Sequence, residues 1–201
     1  MKSIITIGRQ FGCGGKAICK KLSEKLGIPF YDKELIEYAA NKCGLSAEVL
    51  KQYDEKATNS LLYSLSMGSY SHLATAFHTP NLPLNDQLFI SQSEIIKQLA
   101  DEGPCIILGR CSDYVLRERD DVLKVFLYCD IDIRVKNISE RLGIPESKAG
   151  DIIKKTDKRR ASYYNYYTQL KWGDVNNFDL ALNSKIGDEK LIDMIVKCYN
   201  E

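Results

Sequence analysis

The residues best equipped for chemistry are gathered in one turn, Gly8-Arg-Gln-Phe-Gly12-Cys-Gly14-Gly15-Lys16, between a β-branched run and an amphipathic stretch. Holding a phosphate needs backbone N–H groups turned inward. Glycines permit that turn, and the amino terminus of the following helix adds partial positive charge. The expected anion-binding set is Arg9, Gly12, Cys13, Gly14, Gly15, Lys16 and Ala17, with Lys16 long enough to reach the outer phosphates. A plain tight turn uses glycines as well, but strand, glycine loop and helix in this order are the context a phosphate cradle requires. Two registers are open against the pattern G-x-x-x-x-G-K-[S/T]. With Lys16 as the lysine, its leading glycine falls on Gln10 and its hydroxyl position on Ala17. With the glycines aligned, Gly15 fills the lysine slot and Lys16 lies one step later. Neither register supplies a Ser or Thr to hold Mg2+ directly, so the metal would depend on phosphate oxygens, water and a carboxylate elsewhere.

The elements that must carry this turn alternate regularly. Ser3–Ile7 reads as a strand. Lys16–Leu26 reads as a helix, with Ile18, Leu22 and Leu26 on one face, closed by Gly27. Ile28–Tyr31 is a second strand and Lys33–Cys43 an amphipathic helix stopped by Gly44. A helix over Asp86–Glu102 leads through Gly103-Pro104 into a strand at Cys105–Leu108. Leu123–Cys129 is a fourth strand and Ile131–Leu142 a helix. Gly143-Ile-Pro145 breaks the chain before a long helix, 147–171, and the strand Phe178–Leu182 precedes a closing helix, Glu189–Tyr199. Five strands interleaved with helices, several of them apolar throughout, point to a parallel sheet covered on both faces, with functional loops at its carboxyl edge. The irregular block 45–83 reads as a helical insert that could close over substrate or form a homodimer contact.

Composition removes several function classes. The 201 residues carry 28 Lys plus Arg against 27 Asp plus Glu, a net charge of +1, which gives no extended basic field for nucleic acid. Tyr163, Tyr164, Tyr166 and Tyr167 beside Arg159 and Arg160 could stack on single-stranded bases, but without such a field they read better as packing and pocket residues. The apolar runs are strand-sized, so no membrane span is expected. Seven scattered cysteines without a Cys-x-x-Cys pair suggest reduced thiols and a cytoplasmic location. His72 and His78 have no zinc-spaced partner, so no protein metal site is expected.

With the glycine loop, Pro29-Phe-Tyr-Asp32, Ile106-Ile-Leu-Gly-Arg110 and Asp157-Lys-Arg-Arg160 in view, the chain resembles the cytidylate kinase-like family of P-loop nucleotide kinases over nearly its whole length. The resemblance implies an α/β, three-layer P-loop kinase fold, a single domain over 1–201 whose five-stranded parallel sheet bears a helical insert and a lid helix at 147–171. It also implies phosphoryl transfer, dependent on ATP and Mg2+, to a small nucleotide, with CMP or dCMP the leading acceptor.

The resemblance assigns roles residue by residue. Asp32 matches an aspartate that faces the acceptor, although Lys33 and Glu34 stand where the family has Thr and Gly; it could equally cap the following helix. Arg110 matches the arginine that holds the acceptor phosphate, and its planar fork at a strand's carboxyl end suits that task. The aspartate expected after it is Cys111, and Asp113 is the nearest substitute. Asp157 and Arg160 match the lid's Asp-x-x-Arg and share a helix face. Arg134 is a further candidate for the closed site. Lys16, Arg110, Arg159 and Arg160 are thus the expected catalytic residues, and Asp32, Arg110, Asp113, Arg134 and Asp157 the expected acceptor contacts. Two rivals remain: a phosphotransferase acting on another small acceptor, and a catalytically silent nucleotide-binding regulator.

Overall fold

The strand expected at the amino terminus forms β1, Ile4–Arg9, and every other strand is placed with reference to it. It pairs in parallel with β3 (Cys105–Leu108) on one side and β4 (Val122–Tyr128) on the other. The short β2 (Phe30–Tyr31) and β5 (Leu180–Asn183) complete a five-stranded parallel sheet in the order β2-β3-β1-β4-β5. The computed structural model describes residues 2–32 and 83–201. The expected helix Lys33–Cys43, both histidines, and the insert 45–83 apart from Pro83 lie outside the described residues.

Side-chain alternation along the strands builds the two faces. Ile5 and Ile7 of β1, Ile106 and Leu108 of β3, and Leu123, Val125 and Leu127 of β4 face α1 (Gly15–Leu26) and the closing helix. Ile18, Leu22, Leu191 and Ile195 come to meet them. Ile4, Cys105, Ile107 and Val122 face the other way, onto Ile95, Ile96 and Ala100 of α2 (Leu84–Glu102) and Val115 of α3 (Ser112–Val115). Each layer of helices thereby removes one apolar face of the sheet from water, and the three-layer arrangement follows.

The remaining helices are α4 (Ile131–Leu142), α5 (Glu146–Thr168) and α6 (Asp188–Asn200). Gly143 ends α4 in a left-handed conformation, and Ile138, Ala149 and Ile153 pack α4 and α5 together. All strands run the same way, so the turns after β1, β3 and β4, and Asp32 just after β2, lie at one edge. The face of α5 marked by Asp157, Arg160, Tyr164 and Tyr167, spaced three, four and three residues apart, bonds to the chain at that edge: to Phe11, Arg9, Asp113 and Asp86 respectively. Among the described residues no helix is long and apolar enough to cross a membrane. Six cysteines there are free thiols, five of them buried.

Candidate active site

Four sets of bonds fix the glycine loop. The Gln10 N–H donates to the Leu127 carbonyl at 2.9 Å, and its side-chain oxygen accepts from the Cys129 N–H at 3.1 Å. The Phe11 N–H donates to Asp157 Oδ1 at 2.8 Å. Arg134 Nη1 donates to Asp157 Oδ2 at 2.5 Å and to the Phe11 carbonyl at 3.3 Å. Asn137 Nδ2 donates to the Gly12 carbonyl at 3.0 Å. Gly12 has φ 89°, and a Cβ there would come within 3.0 Å of the Arg134 carbonyl oxygen, so both conformation and space demand glycine.

Beyond Gly12 the loop turns into α1 through Gly14, at φ 80°. No side chain caps this helix start and no acidic residue lies in its first turn, which leaves its amide hydrogens and dipole for an anion. Cys13 contributes only backbone. Its thiol is buried in the core cluster on the α1 side of the sheet, and burial pushes its pKa up. Ala17 is exposed on the first turn and carries no hydroxyl.

Two cavities open at this edge. The larger, of about 1160 Å³, is lined by the loop, Phe30 of β2 and α4 residues. Arg9, Lys16, Lys20, Arg141 and Arg160 face it with only Asp32 and Glu140 in opposition, so it is electropositive. Lys16 Nζ lies 3.3 Å from Asp32. Two guanidinium groups approach the Phe11 ring, Arg141 at 5.1 Å and Arg160 at 5.5 Å from its centroid. The smaller cavity, about 40 Å³, lies between the ends of β1 and β3 and the α5 tyrosines. Arg110, Asp113, Tyr163 and Tyr164 line it, and Arg9 and Arg160 line both cavities.

Arg110 is presented by a strained turn. Gly109, Arg110 and Cys111 all have positive φ, at 78°, 60° and 55°, and the Ser112 N–H donates back to the Gly109 carbonyl at 3.1 Å. Left-handed backbone costs roughly 1–2 kcal/mol at each non-glycine residue, which places stored strain beside the cavity. Burial pushes the Arg110 pKa down to about 10; the nearby Arg9 adds to the shift, while Tyr163 and Asp32 oppose it. The group stays cationic at neutral pH, in surroundings that reward an incoming anion. Asp113 is buried and accepts a 2.7 Å bond from the Tyr164 hydroxyl; its own burial raises its pKa.

Of the residues singled out in the sequence, Arg9, Gly12, Gly14, Gly15, Lys16, Ala17, Asp32 and Arg160 come together around the larger cavity, and Arg110 and Asp113 around the smaller. Arg134 and Asp157 bind one another and the loop backbone, and neither lines either of these two cavities. Arg159 is exposed on α5 and lines neither. Sequence reasoning missed Phe11, Arg141 and Asn137, whose parts depend on contacts more than 120 residues away in the chain. Among the described residues no cluster of three His, Cys, Asp or Glu forms a metal site. Mg2+ commonly takes one or two carboxylates with substrate phosphates and water, and Asp32 in the larger cavity fits that pattern.

A sequence model described as the cytidylate kinase-like family matches residues 4–186. The cytidylate kinase of Methanobrevibacter smithii is 29% identical over 202 residues, covering 96% of this chain and 95% of that one. An uncharacterized protein from Eubacterium ventriosum superposes with a TM-score of 0.74 at 28% identity, over 100% of this chain and 99% of its own. The shikimate kinase of Bacteroides thetaiotaomicron superposes with a TM-score of 0.56 at 13% identity over 98% of each chain, a likeness of fold.

Proposed function

The chain belongs to the cytidylate kinase-like family, and we propose that it transfers the terminal phosphoryl group of ATP to a nucleoside monophosphate, with CMP or dCMP first among them. The observation that carries this reading is that Arg9 and Arg160 line both cavities. A phosphoryl group in transit must cross from donor to acceptor, and these two guanidinium groups stand where it would cross. The larger cavity would take ATP, its phosphates on the loop amides. The smaller would take the acceptor phosphate against Arg110, opening as α5 lifts in the manner of a lid.

An oxygen of the acceptor phosphate attacks the γ-phosphorus. The bond to the β–γ bridging oxygen breaks, and its electron pair leaves with ADP. A phosphate monoester has its second pKa near ~6, so at neutral pH the attacking oxygen is largely deprotonated and no general base is required. Catalysis is then positioning plus charge stabilisation, which arginines supply. Arg160 meets the oxygens of the transferring group, and Arg134 with Asp157 keeps the loop at the right height. Mg2+, held by Asp32 and phosphate oxygens, would neutralise further phosphate charge.

An acceptor bearing a hydroxyl would instead need a base, and Asp32 in the larger cavity is the carboxylate that could serve. The test is a panel of CMP, dCMP, UMP, AMP, GMP, shikimate and gluconate incubated with ATP and Mg2+, read by ADP release. A kcat/KM for CMP or dCMP well above the rest supports the proposal. Preference for a hydroxyl acceptor replaces it with the second reading. ATP binding without transfer to any acceptor would overturn both.

A further inference from the structure

We propose that Arg9 is the cation that grips the outer phosphates of the donor nucleotide, its side chain occupying the space that a lysine at position 15 would otherwise fill. This rests on the phosphoryl-transfer reading above and names the residue on which that chemistry depends. The loop's conformation selects the register. Gly14 is left-handed and Gly15 is the first residue of α1, so Gly14 is the second glycine of G-x-x-x-x-G-K-[S/T] and position 15 is the lysine slot. In the same register the pattern's leading glycine falls on Arg9. The two departures are complementary, because a cationic side chain has moved from one end of the loop to the other.

The packing agrees. A Cβ built on Gly15 would lie 3.1 Å from Arg9 Cγ, 3.4 Å from its Cβ and 3.8 Å from its Cδ, so the Arg9 stem covers the bare slot. A Cβ on Gly109 would collide with Arg9 Nη1, so the guanidinium extends to the end of β3. Two residues without side chains thus form the bed in which Arg9 lies. Among the described residues no carboxylate pairs with the Arg9 side chain, and its backbone is pinned by the 3.1 Å bond from Arg160 Nη1 to its carbonyl. Lys16 is differently placed: its side chain is 70% exposed and 3.3 Å from Asp32. An arginine fork beside both cavities can hold two phosphate oxygens at once, which a lysine point charge cannot do.

Exchange of the slot provides the test. Wild type, Arg9→Ala, Arg9→Gln, Lys16→Ala, Arg9→Ala/Gly15→Lys and Arg9→Ala/Gly15→Ala are compared by kcat and KM on the acceptor chosen from the panel. The affinity of each for the β,γ-imido analogue of ATP is measured by calorimetry, and its folding by thermal melting. Arg9→Ala and Arg9→Gln should lose roughly 10²–10³-fold in kcat, and Lys16→Ala less than about tenfold. Gly15→Lys in the Arg9→Ala background should restore about tenfold or more by returning the charge to its usual slot, while Gly15→Ala restores nothing. Arg9→Gln keeps the stem over Gly15, so it remains informative if Arg9→Ala melts early. Near-normal turnover in a folded Arg9 variant, a larger loss in Lys16→Ala, or no rescue by Gly15→Lys would each overturn the assignment. An inactive wild type would instead refute the phosphoryl-transfer reading.

Discussion

The two edges of the same sheet treat arginine in opposite ways. At the amino edge, before β4, Arg119 is matched on every side. Its Nε and Nη2 donate to the two oxygens of Asp121 at 2.9 and 3.0 Å, and its Nη1 donates to Asp101 at 2.5 Å. Ser3 closes the group by donating its hydroxyl to Asp121. These bonds raise the Arg119 pKa and hold the Asp121 carboxyl below the usual carboxylate range. At the carboxyl edge Arg110 is shifted down to about 10 by burial, with Arg9 adding like charge. A structural arginine is stabilised as a cation by carboxylates of the fold. Burial disfavours the Arg110 cation instead, a penalty that an anion such as the proposed acceptor phosphate would offset.

Substitutions at each edge can break this contrast, and the largest effect belongs to the carboxyl edge. Arg110→Ala should lower kcat/KM for the acceptor by roughly 10²–10³-fold, a larger effect than any accompanying loss of stability. Steady-state kinetics beside a thermal melt check this, and a protein that loses stability rather than turnover would erase the contrast. Arg119→Ala should do the reverse, costing about 1 kcal/mol in urea denaturation with kcat unchanged, the modest value expected of a partly exposed pair.

The smallest effect is in the pH dependence of stability, where the two edges should differ in sign. Asp121 has a depressed folded-state pKa, so its stabilisation is present above the ordinary carboxylate value of about 4 and is lost as pH falls below it. Asp113 has a raised one, caused first by burial, so its contribution is present at low pH and is lost as pH rises through its folded value. Asp121→Asn should therefore flatten the acid limb of the stability curve. Asp113→Asn, which can still accept the Tyr164 hydroxyl, should stabilise the protein at neutral pH. Chemical denaturation at several pH values reads both slopes, and slopes of the same sign would contradict the assignment.

What could be read from the sequence follows from how local each signal is. The strands at Ser3–Ile7, Cys105–Leu108 and Leu123–Cys129 were visible as β-branched or apolar runs ended by turn residues, and the structure shifts two of them by only one or two residues. The glycine loop was legible for the same reason, as was the shared face of Asp157 and Arg160. Their partners were not legible, since Phe11 and Arg9 lie 146 and 151 residues away. The short helix α3 escaped notice because Arg110 and Cys111, just ahead of it, adopt a left-handed backbone that their residue types do not announce. Arg134, on the helix after the fourth strand, was legible as a candidate for the closed site. Its placement between Asp157 and the Phe11 carbonyl depends on how α4 and α5 pack against the loop.

The most direct test of the phosphoryl-transfer site is a crystal structure with a bisubstrate analogue in which cytidine and adenosine are joined through five phosphates. The expected result is a phosphate chain running from the amides of residues 12–16 into the smaller cavity, with the guanidinium groups of Arg9, Arg110 and Arg160 within ~3 Å of its oxygens. An analogue bound elsewhere, or one that leaves Arg110 without a phosphate contact, would contradict it.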